Sequence, residues 1–157
     1  MNQIHSTNPY SASNDPFEET RPSPSGLTAI IIGAFIGDGI LYAAGTALSW
    51  VIMWHLSAQG ATGKDLYLPL YQSTGYLLAG HVVAGLAMLI GGYWCARLGN
   101  DRRLFRAAMA GLIIMAQIML HLTLPYDQPY PLWTCVVSLV MPIPLYVAGA
   151  MLWRRPA

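Results

Sequence analysis

This chain has very little charge. Asp, Glu, Lys and Arg make up 10% of its 157 residues, against roughly 25% in a soluble domain. It lacks the means to solvate a surface of its own size. The formal net charge is +1, so nucleic acid is not expected as a partner. Cysteine is equally scarce. Cys95 falls near the end of the second apolar run and Cys135 near the start of the fourth, at opposite faces of a bilayer. A disulfide needs Cα atoms within about 7 Å, which that separation excludes. Neither cysteine belongs to a C-x-x-C motif, so no thiol redox role is expected. The first 26 residues lack the leading positive charge and short apolar core of a secretory signal peptide; they carry Asp15, Glu18 and Glu19 against Arg21. No hydrolase, kinase, metalloprotease or dinucleotide fingerprint occurs. The expectation is a protein that is not an enzyme and has no cofactor.

What the chain has is apolar sequence, 55% of all residues, gathered into four runs. Residues 1–26 read as a disordered tail, because Pro9, Pro16, Pro22 and Pro24 break any periodicity among Ser, Asn and Thr. Residues 27–157 then form one transmembrane domain. A helix needs about 20 apolar residues to cross about 30 Å of hydrocarbon. Four stretches meet that length, at about 27–56, 71–98, 104–124 and 132–153. The loop 57–67 holds Gly60, Gly63, Lys64 and Asp65, and a Pro- and Tyr-rich turn runs from Pro125 to Pro131. The predicted fold is an all-α transmembrane four-helix bundle.

Orientation follows from the basic residues. Arg21, Arg97, Arg102, Arg103, Arg106, Arg154 and Arg155 all fall on one side, and only Lys64 on the other. Seven against one places both termini in the cytoplasm. Tyr67, Tyr71, Tyr76, Tyr126, Tyr130 and Trp133 then form an outer aromatic belt. Short loops make neighbouring helices antiparallel. Gly33 and Gly37 in the first helix, with Gly80, Gly85, Gly91 and Gly92 in the second, allow backbones to approach closely.

Polar residues inside the runs are the candidate site. Asp38 lies near the middle of the first helix, where a carboxylate costs at least about 2.5–3.5 kcal/mol. It must face the bundle interior, be protonated, or both. Ala34, Tyr42, Gly45 and Ser49 share its face on helical spacing. His81 sits in the second helix, roughly 7 Å further out, at a level matched better by Tyr42. Gln117 and Ser138 stand at a similar level in the third and fourth helices. Pro142 removes the helical partner of the Ser138 carbonyl and Pro144 that of Val140, so the fourth helix is expected to kink. Asp38, Tyr42, His81, Gln117 and Ser138 thus form either a proton or ion site around an outward-opening cavity, or a set of hydrogen bonds that glue helices at about 0.6 kcal/mol each. His55 and His121, near Met53, Met115 and Met119, are weak candidates for haem or metal, and interfacial histidine is the simpler account.

The stretch Gly91-Gly92-Tyr93-Trp94-Cys95-Ala96-Arg97-Leu98, the basic loop after it and Ala107-Ala108-Met109-Ala110-Gly111 resemble a pattern in small bacterial four-span membrane proteins of unassigned function; Asn8-Pro9-Tyr10 is similar to their leader. The resemblance covers about a third of the chain. It implies the four-span fold and a bacterial inner membrane, and it carries over no functional residues. The leading expectation is an accessory or interaction subunit, with the lipid bilayer and either a second copy or another membrane protein as partners. The alternative is a proton-coupled small-solute transporter using Asp38 and His81. A haem or metal protein is a distant third.

Overall fold

The computed structural model describes residues 25–99, 102–123 and 130–153. Residues 1–24 of the expected tail 1–26, most of the Pro- and Tyr-rich turn and the closing Arg154 and Arg155 lie outside the described residues; of the tail's last two residues, Ser25 caps the first helix and Gly26 begins it. Every regular element among the described residues is an α-helix: α1 Gly26–Ala58, α2 Lys64–Gln72, α3 Thr74–Leu98, α4 Arg103–Thr123, α5 Leu132–Val140 and α6 Pro142–Leu152. Three helices, α1, α3 and α4, are long and apolar enough to cross a membrane; the bent pair α5 and α6 makes a fourth if it is one span.

Local chemistry sets the ends. The Ser25 hydroxyl accepts from the Thr28 N–H at 3.3 Å and starts α1. The helix runs 33 residues, about 50 Å, and closes where Gly60 takes φ +87°. Ser73 caps α3 in the same way, accepting from the Tyr76 N–H at 3.4 Å. Two boundaries differ from expectation. The loop 57–67 gives way at Lys64 to α2, whose first turn holds Asp65, a favourable place for a carboxylate. The second long helix then starts at Thr74, because Ser73 supplies its cap. The fourth run divides at Met141 and bends by 40°. Pro142 and Pro144 have no N–H to donate to Ser138 and Val140, and this is the physical cause of the break.

Burial is inverted relative to a water-soluble bundle. Phe35, Trp54 and Leu132 are 73%, 77% and 79% exposed, while the buried positions are mostly Ala and Gly, among them Ala29, Ala87, Ala96, Ala107, Ala110 and Ala150. Lipid solvates the large side chains, and small ones let backbones touch. The centre of that contact is Tyr146, fully buried in α6. Its ring lies against Gly37 of α1 and Gly91 of α3, and its hydroxyl donates to the Ala34 carbonyl at 3.5 Å. A Cβ on Gly92 would run into the Tyr146 main chain, and one on Gly149 into that of Leu89, so α3 and α6 cross backbone to backbone. A Cβ on Gly111 of α4 would stand 2.8 Å from the Ile143 Cα.

This close packing occupies the end of the bundle that carries the arginines. There Arg103 Nη1 donates to the Trp153 carbonyl at 2.8 Å, satisfying the C-terminus of α6. The Arg97 guanidinium stacks over Trp94 at 4.6 Å, a cation–π contact, and Tyr93 meets Trp153 edge-on at 5.5 Å. Cys95 is buried at this end, Cys135 is half-buried in α5, and both are free thiols.

Gly92→Val is expected to lower stability in detergent by at least about 1–3 kcal/mol. Gly39→Val, where nothing lies within 4 Å, should stay within about 0.5 kcal/mol of wild type. The two changes gain the same helix propensity, so thermal unfolding of the pair isolates the contact. Equal effects would contradict the packing.

Candidate intramembrane cavity

Away from the arginines the helices separate. A cavity of about 480 Å³ opens between the first half of α3, the second half of α4, α5 and the middle of α1. That volume falls within the roughly 300–1,000 Å³ of small-molecule sites. The bend at Met141 creates it: α6 is locked among glycines, and α5 leaves that axis at 40°.

Of the polar residues singled out in the sequence, Asp38, His81, Gln117 and Ser138 all line this cavity. They meet in two pairs. His81 Nδ1 lies 2.7 Å from the Leu77 carbonyl one turn earlier. A carbonyl can only accept, so Nδ1 carries the proton. With the ring neutral, Nε2 is bare and the Ser138 hydroxyl, 3.2 Å away, donates to it. The imidazole is also flanked by the Trp133 ring, 5.5 Å between centroids. The second pair is long: Gln117 Nε2 donates to Asp38 Oδ2 at 3.5 Å. One pair ties α3 to α5 and the other α1 to α4.

Tyr42 stands apart. It is 76% exposed and does not line the cavity. Leu41 takes the place expected for it. A step of three residues from Asp38 turns 300° and a step of four turns 400°; the crossing of α1 keeps the former on the interior seam. Further out on the same helix, Ser49 donates to the Gly45 carbonyl at 2.9 Å. The Tyr76 hydroxyl, 2.7 Å away, therefore donates to Ser49. Tyr76 lines the cavity, a role not expected from its place in the aromatic belt.

The two weak metal candidates are placed differently. His121 lines the cavity, whereas His55 is exposed and sits 3.0 Å from the Gln59 amide. Among the described residues no three His, Cys, Asp or Glu side chains gather as a metal-binding group. Thr134, Cys135 and Tyr130 also line the cavity and were not among the candidate site residues. Spacing held a signal for some of them: Leu77, His81, Ala84 and Met88 repeat at four and three residues, as do Thr134, Ser138 and Met141.

A serine hydroxyl on an imidazole is also the start of a nucleophile–base pair. Acyl transfer further needs main-chain donors beside the nucleophile. Ser138 sits within α5, where the following N–H groups are spent on the helix; the Met141 N–H goes to Val137. Pro142 has none to offer. The pair suits proton handling better than covalent chemistry.

The His81–Ser138 bond is measurable by a double-mutant cycle on His81→Ala and Ser138→Ala. We expect a coupling energy of about 0.6–1.7 kcal/mol in unfolding experiments; additivity of the two changes would remove the bond. No protein-family model, curated protein or solved structure matches this chain.

Proposed function

We propose that this chain is a four-span protein of the bacterial inner membrane, with both termini in the cytoplasm, that binds a small solute in its cavity and moves it in exchange for protons at Asp38. The observation that carries this reading is the convergence of Asp38 and His81 on one cavity at the end away from the arginines. The positive-inside bias then makes that end the outer one. An intramembrane carboxylate is expensive, and one whose only hydrogen bond among the described residues is a long contact with Gln117 contributes little to holding helices together. A carboxylate that exchanges its proton for a ligand accounts for it better.

His81 fits the same scheme. When neutral it accepts from Ser138. When protonated it donates through Nε2, and Ser138 turns from donor to acceptor. The pair stays bonded in both states, so the imidazole can load and release a proton without losing the link between α3 and α5. No covalent step is involved, and the chain acts without enzymatic chemistry.

The two native cysteines test the reading. Cys135 lines the cavity and Cys95 is fully buried at the other end. In intact spheroplasts a membrane-impermeant thiol reagent should modify Cys135 from outside and leave Cys95 untouched. Protection of both thiols from outside, with Cys135 reached only from the cytoplasmic face of inverted vesicles, would reverse the orientation and end the proposal.

A second reading, an accessory or interaction subunit, draws on the open face of α1. Positions 39 and 45 have nothing within 4 Å of where a Cβ would stand, between exposed Phe35, Tyr42 and Trp50. A second copy or another membrane helix fits such a face. Crosslinking in native membranes should then trap a dimer or a stable partner, and a clean monomer would count against it.

A further inference from the structure

We infer that the cavity selects an organic cation with an apolar body, its positive charge held against Asp38. The inference rests on the cavity being the working site, and it adds the chemical class of the ligand.

Charge is the first ground. Asp38 is the one Asp or Glu in the lining, and no Lys or Arg lines it among the described residues. Gln117 gives Asp38 a neutral donor at 3.5 Å and His81 is bonded to Leu77 and Ser138, so neither offsets a carboxylate charge at Asp38. A ligand cation compensates it at the depth where an unpaired charge is costliest, while an anion meets repulsion there.

Size and surface are the second ground. A bare metal ion needs several ligands gathered around it, and among the described residues no three His, Cys, Asp or Glu side chains gather; much of the lining is apolar, with Leu77, Ala84, Met88, Ile114, Ile118 and Met141. These side chains match hydrocarbon or aromatic rings. About 480 Å³ is room for a molecule of many heavy atoms. Tyr76 also lines the space, and a tyrosine face is a favourable neighbour for a diffuse cation.

The test uses two probes of the same shape and opposite charge, tetraphenylphosphonium and tetraphenylborate, added to the full chain in an uncharged detergent. Equilibrium binding should show tetraphenylphosphonium bound and tetraphenylborate excluded. Asp38→Asn should weaken the cation by at least about tenfold, and Asp38→Glu should retain most of it. The wild-type comparison of the two probes holds even if Asp38→Asn folds poorly. Tetraphenylborate bound as tightly as the cation, cation affinity unchanged in a folded Asp38→Asn, or no cation binding at all would each overturn the inference. Thiol labelling in the same preparation separates the two levels. Cys135 modified without cation binding leaves the cavity standing and removes the ligand class; Cys135 protected removes both.

Discussion

The placement of one ring, Tyr146, governs the rest of this molecule. It is fully buried in α6, against glycines of α1 and α3, and its hydroxyl reaches the Ala34 carbonyl. No side chain larger than hydrogen fits at Gly92 or Gly149 without moving backbone. The α6 segment is therefore held in one position. Pro142 then breaks the helix one turn above the ring, and α5 departs at 40°. The tight half and the open half are two consequences of one constraint. Without α6 fixed, the bend would have no reference, and the cavity would close by sliding.

The polar residues add little to that stability. A hydrogen bond between membrane helices contributes about 0.6 kcal/mol on average, and Asp38 to Gln117 is a long one. The glycine contacts instead remove steric barriers over four helices at once. What the polar pairs do is place chemistry: a carboxylate and an imidazole, on different helices, facing one largely apolar space. Loss of packing around that space is a cost, which the proposed ligand site would account for.

Much of this was readable in the residues. The four apolar runs and the segregation of arginine were plain, as was the kink, because Pro142 and Pro144 cannot donate. The level shared by His81, Gln117 and Ser138 followed from counting rise along each helix. Three things were not readable. Tyr42 and Leu41 differ by one residue, and only the crossing of α1 decides which of them faces inward. Tyr146 looks like any aromatic in an apolar run, and the glycines that receive it lie more than fifty positions away in sequence. The short helix α2 was hidden by polar and proline residues that read as loop, although Asp65 and the Ser73 cap were there to mark its two ends.

The bundle is sealed at its arginine end and open at the other. Amide hydrogen exchange on the purified protein measures this directly. Peptides covering 76–84 of α3 and 132–140 of α5 should exchange about tenfold faster or more than those covering 86–96 of α3 and 143–151 of α6. Equal protection across the two halves would mean that no solvent enters between α3 and α5 and that no open cavity exists there.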